Sequence, residues 1–245
     1  MSYFGNIEKI KKKSNYIDLL TEADLKSEEI IVKRILEKYP KHSIITEESQ
    51  NLSNQSEYKW VIDPLDGTTN FTHNLPIFAV SIALLKNNKT ITGVVYNAAA
   101  DKCFYAENNK GSYLNTNIIN VSSSSTLDDS LLATGFPYLH DNRYDLSFHL
   151  FKEFYDKTRG IRRLGSASLD LCFVAMGRFD AFYEFELNSW DIAAGSLIVK
   201  EAGGKVTDWN GKKAPFNGQR ILASNKFIHA DMIKILTKKK YTIFY

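Results

Sequence analysis

Cysteine is scarce in this sequence of 245 residues, and its scarcity excludes two kinds of scaffold. The two cysteines, Cys103 and Cys172, show no CxxC spacing. A disulfide framework needs several cysteines at short spacings, and a structural zinc site needs clustered cysteine or histidine ligands. The sequence is therefore not that of a small secreted module, and it predicts a protein of a reducing compartment.

Long apolar runs and a large excess of one charge are missing too. The longest nearly apolar run, 78–85, falls far short of the roughly 20 residues that cross a bilayer, and the first residues lack the apolar stretch of a secretory signal. We therefore expect a soluble, cytoplasmic protein without a membrane partner. Because 31 lysines and arginines oppose 28 aspartates and glutamates, the net charge is only +3, which speaks against a nucleic-acid partner.

Several short catalytic motifs are also absent. The sequence contains no GxGxxG, GxxxxGK[ST], GxSxG or HExxH pattern, so dinucleotide, P-loop, serine-hydrolase and zinc-protease chemistry have no support. What is present is the composition of a folded globular chain, with 44% hydrophobic residues, 24% charged residues and a mean hydropathy of −0.27. This length and composition predict one large domain or two tightly apposed halves.

Residues 1–122 predict one helix packed on a largely antiparallel sheet. An amphipathic pattern over 25–39 places Leu25 and Ile35 on its apolar face and Glu28 on its polar face. Short β-rich runs separated by polar turns follow this helix. These predicted strands cover 42–46, 58–63, 78–85, 89–97 and 103–107.

Residues 123–245, which begin within a polar serine linker at 122–125, alternate between helical and strand patterns. The predicted strands cover 130–134, 160–164, 179–184, 205–208 and 220–223. The predicted helices cover 144–155, 166–176, 190–202 and a stretch from 226. Such alternation favours mixed sheets covered by helices. The expected fold class is therefore a layered α/β (α+β) sandwich whose two halves form one catalytic unit.

The most informative segment, 60–70, leads two acids out of an apolar strand into a turn. Asp63 and Asp66 stand three residues apart, and Pro64 and Gly67 let the backbone bend so that side chains and a carbonyl can converge. Converging hard oxygens suit Mg²⁺. An ordinary turn in which both acids cap backbone amides explains the same residues equally well. The segment alone therefore does not decide between the two interpretations.

Three further acids lie where predicted elements begin or end. Asp24 stands at the start of the first helix, Glu47 follows the strand at 42–46, and Asp191 lies in the first turn of the helix at 190–202. Each alone also fits a solvated turn or a helix-dipole interaction. Together, four separate elements offer an acid at the places where open sheets build their sites. Such a cluster suits two-metal phosphoryl transfer, in which Mg²⁺ activates a water molecule.

Three motifs, ITEES, WVIDPLDGTTNF and SWDIAAGSLIVKEAGG, have an order and spacing that resemble those of the inositol monophosphatases. This family of lithium-sensitive, Mg²⁺-dependent phosphatases is related to the fructose-1,6-bisphosphatases and the nucleotide 3′-phosphatases. The likeness extends from about Ile17 to about Asn225. It implies a phosphoric monoester hydrolase with two or three Mg²⁺ ions.

The resemblance also implies a set of metal ligands. Glu47, Asp63 and the Leu65 carbonyl would hold one ion, and a third, weaker ion would lie near Glu47. Asp63, Asp66 and Asp191 would hold the second ion, so that Asp63 bridges the two.

The catalytic residues that the resemblance implies are Asp24, Glu47 and Thr68. Thr68 would hydrogen-bond the attacking water, with Asp24 behind it as the polarising carboxylate. The backbone amides of Gly67 and Thr68 would bind the phosphate.

Substrate contacts are implied mainly in the second half of the chain. They fall on the Gly-Ser-Ala turn and on two acids that would bind hydroxyl groups, namely Gly165, Ser166, Ala167, Glu184 and Asp191. Each also has a plain interpretation, because Gly165 fits an ordinary turn and Glu184 a solvated strand end. Arg163 and Glu186 are weaker candidates.

A small phosphorylated polyol, with inositol monophosphate first, is the substrate that the resemblance implies, and a homodimer is the expected assembly. Fructose 1,6-bisphosphate, histidinol phosphate and a 3′-nucleotide remain alternatives, because a metal site reads only the phosphate. Two departures from the family concern the opening amphipathic helix, shortened to at most 2–13, and Thr46, which stands where many members carry glycine. We expect little effect from Thr46 at a strand end.

Two other functions compete with this hypothesis. Residues 65–68 echo the DxDGT loop of the aspartyl-phosphate phosphatases, but Pro64 occupies the position that their nucleophilic carboxylate needs. The second alternative is a non-catalytic RNA- or polymerase-binding regulatory module. Its only support is two lysine runs, 11–13 and 238–240, which lack the interleaved aromatic residues that base stacking favours.

Overall fold

The computed structural model describes residues 1–6, 10–12, 19–138, 141–214 and 219–244. The α-helices of this part of the chain are α1 (Glu22–Lys38), α2 (Thr68–Thr72), α3 (Asn142–Tyr155), α4 (Ala167–Ala175), α5 (Ser189–Glu201) and α6 (His229–Leu236). A 3₁₀ helix, Lys239–Phe244, follows them. Among these described helices, none combines the length and the apolar character that a membrane span requires.

The first large sheet has seven strands and comes from the first half of the chain. Its strands are β3 (Ser43–Thr46), β4 (Tyr58–Asp66), β5 (Ala79–Lys86), β6 (Lys89–Asn97), β7 (Lys102–Glu107), β8 (Ser112–Leu114) and β9 (Asn117–Ile118). They lie side by side in chain order. Only the β3–β4 pair is parallel, and the others are antiparallel. A separate two-stranded hairpin, β1 (Ile10–Lys12) and β2 (Leu19–Thr21), precedes them.

The second sheet has five strands and comes from the second half. Its strands are β10 (Leu131–Thr134), β11 (Gly160–Arg162), β12 (Ala181–Phe185), β13 (Lys205–Thr207) and β14 (Arg220–Ser224). Their spatial order is β11, β10, β12, β14, β13. Strand β10 runs parallel to both of its neighbours, whereas β14 is antiparallel to β12 and β13. The sheet is therefore mixed, as predicted.

Helices α4 and α5 join the two sheets through one continuous apolar core. Val95 and Phe104 of the first sheet, Leu171 and Ile198 of the two helices and Phe182 of the second sheet belong to the same buried cluster. Helices from the second half of the chain thus cover a face of the sheet from the first half. The layered sandwich predicted from the sequence is confirmed. The division at residue 122 stays a prediction.

Helix α1 begins earlier than predicted; its predicted apolar face packs inward at Ile35, but two other residues depart from the prediction. Thr21 and Asp24 form a capping box that starts the helix at Glu22. Leu25, predicted on the apolar face, is 44% exposed, whereas Glu28, predicted on the polar face, is only 4% exposed. Hydrogen bonds explain the buried acid, because Glu28 accepts them from Thr46 and from the amide of Glu48.

The helix expected over 2–13 is wrong where the structure describes it. Residues 2–5 form a turn, and Gly5 adopts a left-handed φ of 82° that ends this turn. The ring of Phe4 packs on Phe71 and Phe78, at centroid distances of 5.4 and 5.0 Å. Strand β1 then pairs with β2 instead of continuing a helix. Residues 7–9 and 13 of the expected helix lie outside the described residues.

Candidate active site

Two acids lie near the C-terminal end of strand β4, where its pairing with β5 is irregular. Asp63 is paired with Ser81 and Asp66 with Ala79, and the register shifts between these two pairs. Pro64 lies inside this irregularity, where a residue without an amide hydrogen is tolerated in a strand. The amide of Leu65 donates to Asp63 Oδ1 at 2.9 Å, which fixes the first carboxylate against the turn.

Three carboxylates converge at this end of β4. Asp63, Asp66 and Asp191 each offer an oxygen, and these oxygens all lie within 4.8 Å of one another. Burial raises the pKa of Asp63 well above its usual range, and the charges of Glu47, Asp66 and Asp191 raise it further. Hard carboxylate oxygens held this closely are the donor set of Mg²⁺ or a similar cation, whose charge removes their repulsion. The residues present therefore fit a divalent metal.

Asp66 is oriented by the beginning of helix α4. Its Oδ2 accepts hydrogen bonds from Ser166 Oγ at 2.6 Å and from the Ser168 amide at 2.8 Å, and the Ser168 hydroxyl donates to the same oxygen. Burial raises the pKa of Asp66, and these serine hydrogen bonds oppose the rise. Three hydrogen bonds from α4 thus fix the orientation of the Asp66 carboxylate.

Thr68 and Asp24 form a hydrogen-bonded pair next to the acids. Gly67 adopts a left-handed φ of 94° before α2, and a Cβ there would come within 2.9 Å of the Ile77 carbonyl oxygen. The turn places Thr68 Oγ1 3.0 Å from Asp24 Oδ1 and 3.1 Å from the Leu65 carbonyl oxygen. Asp24 is fully buried, and the threonine hydroxyl connects it to the cavity.

Strands of the second sheet also contribute to the cavity lining. Glu184 lies on β12, and its carboxylate occupies the space that a Cβ would need at Gly135, with Oε1 2.0 Å from that position. Burial raises the pKa of Glu184 to about 8; the charge of Arg163 opposes the rise, and Asp191 and Asp66 add to it. A buried acid of this kind is suited to bind a hydroxyl group rather than a second anion.

One cavity of about 210 Å³ collects the predicted residues. Its lining includes all of them except Asp24, namely Glu47, Asp63, Leu65, Asp66, Gly67, Thr68, Gly165, Ser166, Ala167, Glu184 and Asp191. The weaker candidates Arg163 and Glu186 also line it. Glu186 already forms an ion pair with Arg143.

Sequence reasoning missed four residues of this site. Tyr138 and Asp170 line the cavity, and Gly135 makes room for Glu184. The Asn70 amide nitrogen, on α2, donates to the carbonyls of Ile77 and Leu164, both at 2.7 Å, and so ties α2 to the loop before α4. Asp170 had a signal, because it is the single acid in the apolar segment 167–175.

Comparison with known proteins finds one family model over nearly the full length of the chain. The family model described as "Inositol monophosphatase family" matches residues 1–241. An inositol-1-monophosphatase of Synechocystis is 42% identical over 236 residues, which cover 96% of this chain and 82% of the relative. The Nus factor SuhB of Pseudomonas aeruginosa is 44% identical over 214 residues, which cover 85% and 79%.

A solved structure has the same architecture. The extragenic suppressor protein SuhB of Bartonella henselae superposes with a TM-score of 0.91 at 38% sequence identity. The match covers 97% of this chain and 91% of that one. The fold described above is therefore shared over almost the full length of both proteins.

Proposed function

Because the chain belongs to the inositol monophosphatase family, we propose that it is a phosphomonoesterase that hydrolyses a small polyol phosphate, first of all inositol monophosphate. The observation that carries this proposal is the meeting of three carboxylates within 4.8 Å of one another in a cavity that also contains Thr68. A cluster of acids can hold metal for many purposes. The hydroxyl backed by the buried Asp24 adds the means to orient a water molecule.

Two Mg²⁺ ions are the proposed cofactors, with a third, weaker ion near Glu47. The residues that would hold the first two are Glu47, Asp63, the carbonyl of Leu65, Asp66 and Asp191. When bound, such ions neutralise the phosphate charge and lower the pKa of a bound water molecule. Asp66 would keep one carboxylate oxygen hydrogen-bonded to the serines of α4. Its other oxygen would bind the metal.

Thr68 and Asp24 are proposed to move the first proton. Thr68 Oγ1 donates its own proton toward Asp24 Oδ1, 3.0 Å away, so its lone pairs remain available to the attacking water. As the water loses a proton to Thr68 Oγ1, the threonine proton can pass to Asp24. Burial of Asp24 keeps bulk water away from this relay.

The phosphate and the leaving group are assigned to different walls of the cavity. The first backbone amides of a helix have no partner within the helix, so those of Gly67 and Thr68 are proposed to bind the phosphate oxygens. Glu184, Asp191 and the Gly165–Ala167 turn are proposed to bind the polyol. Glu184 suits this role because its carboxyl group is buried in the lining of the same cavity as the three carboxylates.

Phosphate release from a panel of substrates tests the function. The panel contains inositol 1-phosphate, fructose 1,6-bisphosphate, histidinol phosphate and 3′-phosphoadenosine 5′-phosphate, each with and without Mg²⁺ and Li⁺. We expect release that requires Mg²⁺, falls with Li⁺ and is fastest from inositol 1-phosphate. Another preferred member would replace the proposed substrate, and no release from any member would overturn the phosphatase.

A second candidate function has one observation in its favour. A relative that is 44% identical is named a Nus factor and not an enzyme, which agrees with the regulatory RNA- or polymerase-binding module considered from the sequence. The two functions are separated by Asp63→Asn. This variant should lose phosphate release, and it should still bind a macromolecular partner if the chain also serves as such a module.

A further inference from the structure

Asp170 is a buried acid without a partner in the wall of the active-site cavity. It lies on α4, is 2% exposed, and its Oδ1 has no hydrogen-bond partner in the described part of the chain. Two other buried side-chain atoms there are also unpartnered, Ser112 Oγ and the Tyr183 hydroxyl. Neither of these residues belongs to the cavity lining, whereas Asp170 does. An unsatisfied carboxyl group inside a helix costs stability, so it requires an explanation.

The surroundings of Asp170 indicate what kind of group it could bind. Burial raises its pKa well above the usual range, and the nearby charges of Glu184 and Asp66 raise it further, while Arg163 opposes them. The three acids leave this end of the cavity unfavourable for an anionic group. A neutral hydroxyl group can donate a hydrogen bond to the unpartnered oxygen of Asp170 without adding charge. Rotation about the Cβ–Cγ bond of an aspartate is soft, so either oxygen can turn toward a ligand.

We propose that Asp170 is a second hydroxyl-binding residue of the substrate site, which accepts a hydrogen bond from a leaving-group hydroxyl beside the one that Glu184 binds. This assignment rests on the proposed function, because it concerns the same cavity. It makes Asp170 a determinant of specificity for polyhydroxylated leaving groups. The metal ligands and Thr68 would then recognise the phosphate of any monoester, and Glu184 and Asp170 together would select the polyol.

A pair of substrates with the same ring tests the proposal. Inositol 1-phosphate and cyclohexyl phosphate differ in the free hydroxyls of the leaving group. In the full-length protein with Mg²⁺, Asp170→Ala should raise the KM for inositol 1-phosphate roughly tenfold, the effect of one lost hydrogen bond. The KM for cyclohexyl phosphate should stay unchanged. Asp170→Asn keeps a carbonyl oxygen at the same place, so it should restore most of the affinity for inositol 1-phosphate.

Binding of myo-inositol supplies a readout that does not need turnover. Saturation-transfer NMR of the wild-type protein should detect myo-inositol, and Asp170→Ala should weaken its binding to a similar degree. Ser112→Ala is the matched control, because it removes another buried unpartnered oxygen that lies outside the cavity. It should bind myo-inositol as the wild type does. The melting temperature of Asp170→Ala should be no lower than that of the wild type, since the lost carboxyl group has no partner.

The outcomes separate this proposal from the proposed function. Failure of the wild type to release phosphate from either ester would overturn the phosphatase, and the myo-inositol series would still decide the role of Asp170. Equal effects of Asp170→Ala on the two esters would overturn the specificity role. So would unchanged binding of myo-inositol by Asp170→Ala, a similar loss in Ser112→Ala, or no binding by the wild type.

Discussion

Asp63 is the residue on which the negative charges of the site converge. It is buried at the end of β4, and the charges of Glu47, Asp66 and Asp191 act on it in addition to its desolvation. An asparagine has nearly the same shape without the charge. The substitution therefore relieves electrostatic repulsion in the fold and removes a charged ligand from the site at the same time.

We expect Asp63→Asn to abolish turnover while the fold stays intact. The rate should fall more than about 100-fold, because loss of groups that merely support metal ligands already costs roughly 10–100-fold. Phosphate release and thermal unfolding followed by circular dichroism measure the two effects. The control is Asp231→Asn, which removes an exposed carboxylate paired with Lys234. An Asp63→Asn variant with near wild-type activity would contradict the proposed site.

Glu184 provides the second prediction at this scale. Its carboxylate occupies the space that a side chain at position 135 would need, and it lines the same cavity as Asp63. Glu184→Gln should raise the KM for inositol 1-phosphate about tenfold, because one hydrogen-bond acceptor is replaced by an amide nitrogen. The Mg²⁺ concentration for half-maximal activity should not change. An unchanged KM, or a change in Mg²⁺ dependence alone, would remove Glu184 from the polyol site.

At the scale of secondary-structure elements, the beginning of α4 supports the end of β4. Ser166 and Ser168 donate to Oδ2 of Asp66, so a helix from the second half orients a carboxylate from the first. Ser166 was expected to contact substrate, and that role stays a prediction. In this structure its hydroxyl contacts Asp66, which indicates a positioning role.

Loss of both serine hydroxyls should therefore weaken metal binding. In the double variant Ser166→Ala, Ser168→Ala the Asp66 carboxylate keeps only backbone amides of α4 as partners, and we expect a metal affinity lower by roughly 10–100-fold. Titration with Mn²⁺, followed by its electron paramagnetic resonance signal, measures the affinity without turnover. The control is Ser147→Ala, which removes a hydroxyl that donates to the Arg143 carbonyl within α3. Wild-type affinity in the double variant would exclude the positioning role.

The elements also show how much of the molecule could be predicted from the sequence. The turn after β4 was predictable, because Pro64 and Gly67 act locally on the backbone and carry their acids with them. The burial of Glu28 on α1 was not, because its hydrogen-bond partners, the Thr46 hydroxyl and the Glu48 amide, are distant in the sequence. The role of Gly135 could not be predicted for the same reason. Its lack of a side chain matters because the Glu184 carboxylate, distant in the sequence, occupies that space.

At the scale of the whole molecule, the site depends on contact between the two halves. Asn70 follows β4, and its amide nitrogen donates to the carbonyl of Leu164 in the loop before α4. Asp66 is held across the same boundary by Ser166. The three converging carboxylates come from both halves, Asp63 and Asp66 from the first and Asp191 from the second. The substrate cavity should therefore form only when both sheets are folded together.

Stability of the second half should depend on pH through His229. This histidine is 4% exposed, and its ring nitrogens lie 2.9 Å from Thr207 Oγ1 and 2.7 Å from Ser224 Oγ. Burial lowers its pKa to about 4, and the charge of Lys205 lowers it further. The unfolded chain protonates the same ring near pH 6.5. Between these two values the unfolded state binds more protons, so acid favours unfolding.

Above about pH 6.5, His229 should therefore make its whole contribution to the free energy of unfolding. As the pH decreases toward 4, this contribution should be lost, which lowers the free energy of unfolding by up to about 3 kcal/mol. His229→Gln keeps hydrogen-bonding atoms but cannot be protonated, so its urea unfolding curves should lose that part of the pH dependence. The variant should be less stable than the wild type at pH 7, where packing is lost, and should lose less stability on acidification. Parallel pH profiles of the two proteins between pH 7 and 4 would show that the histidine is not buried in its neutral form.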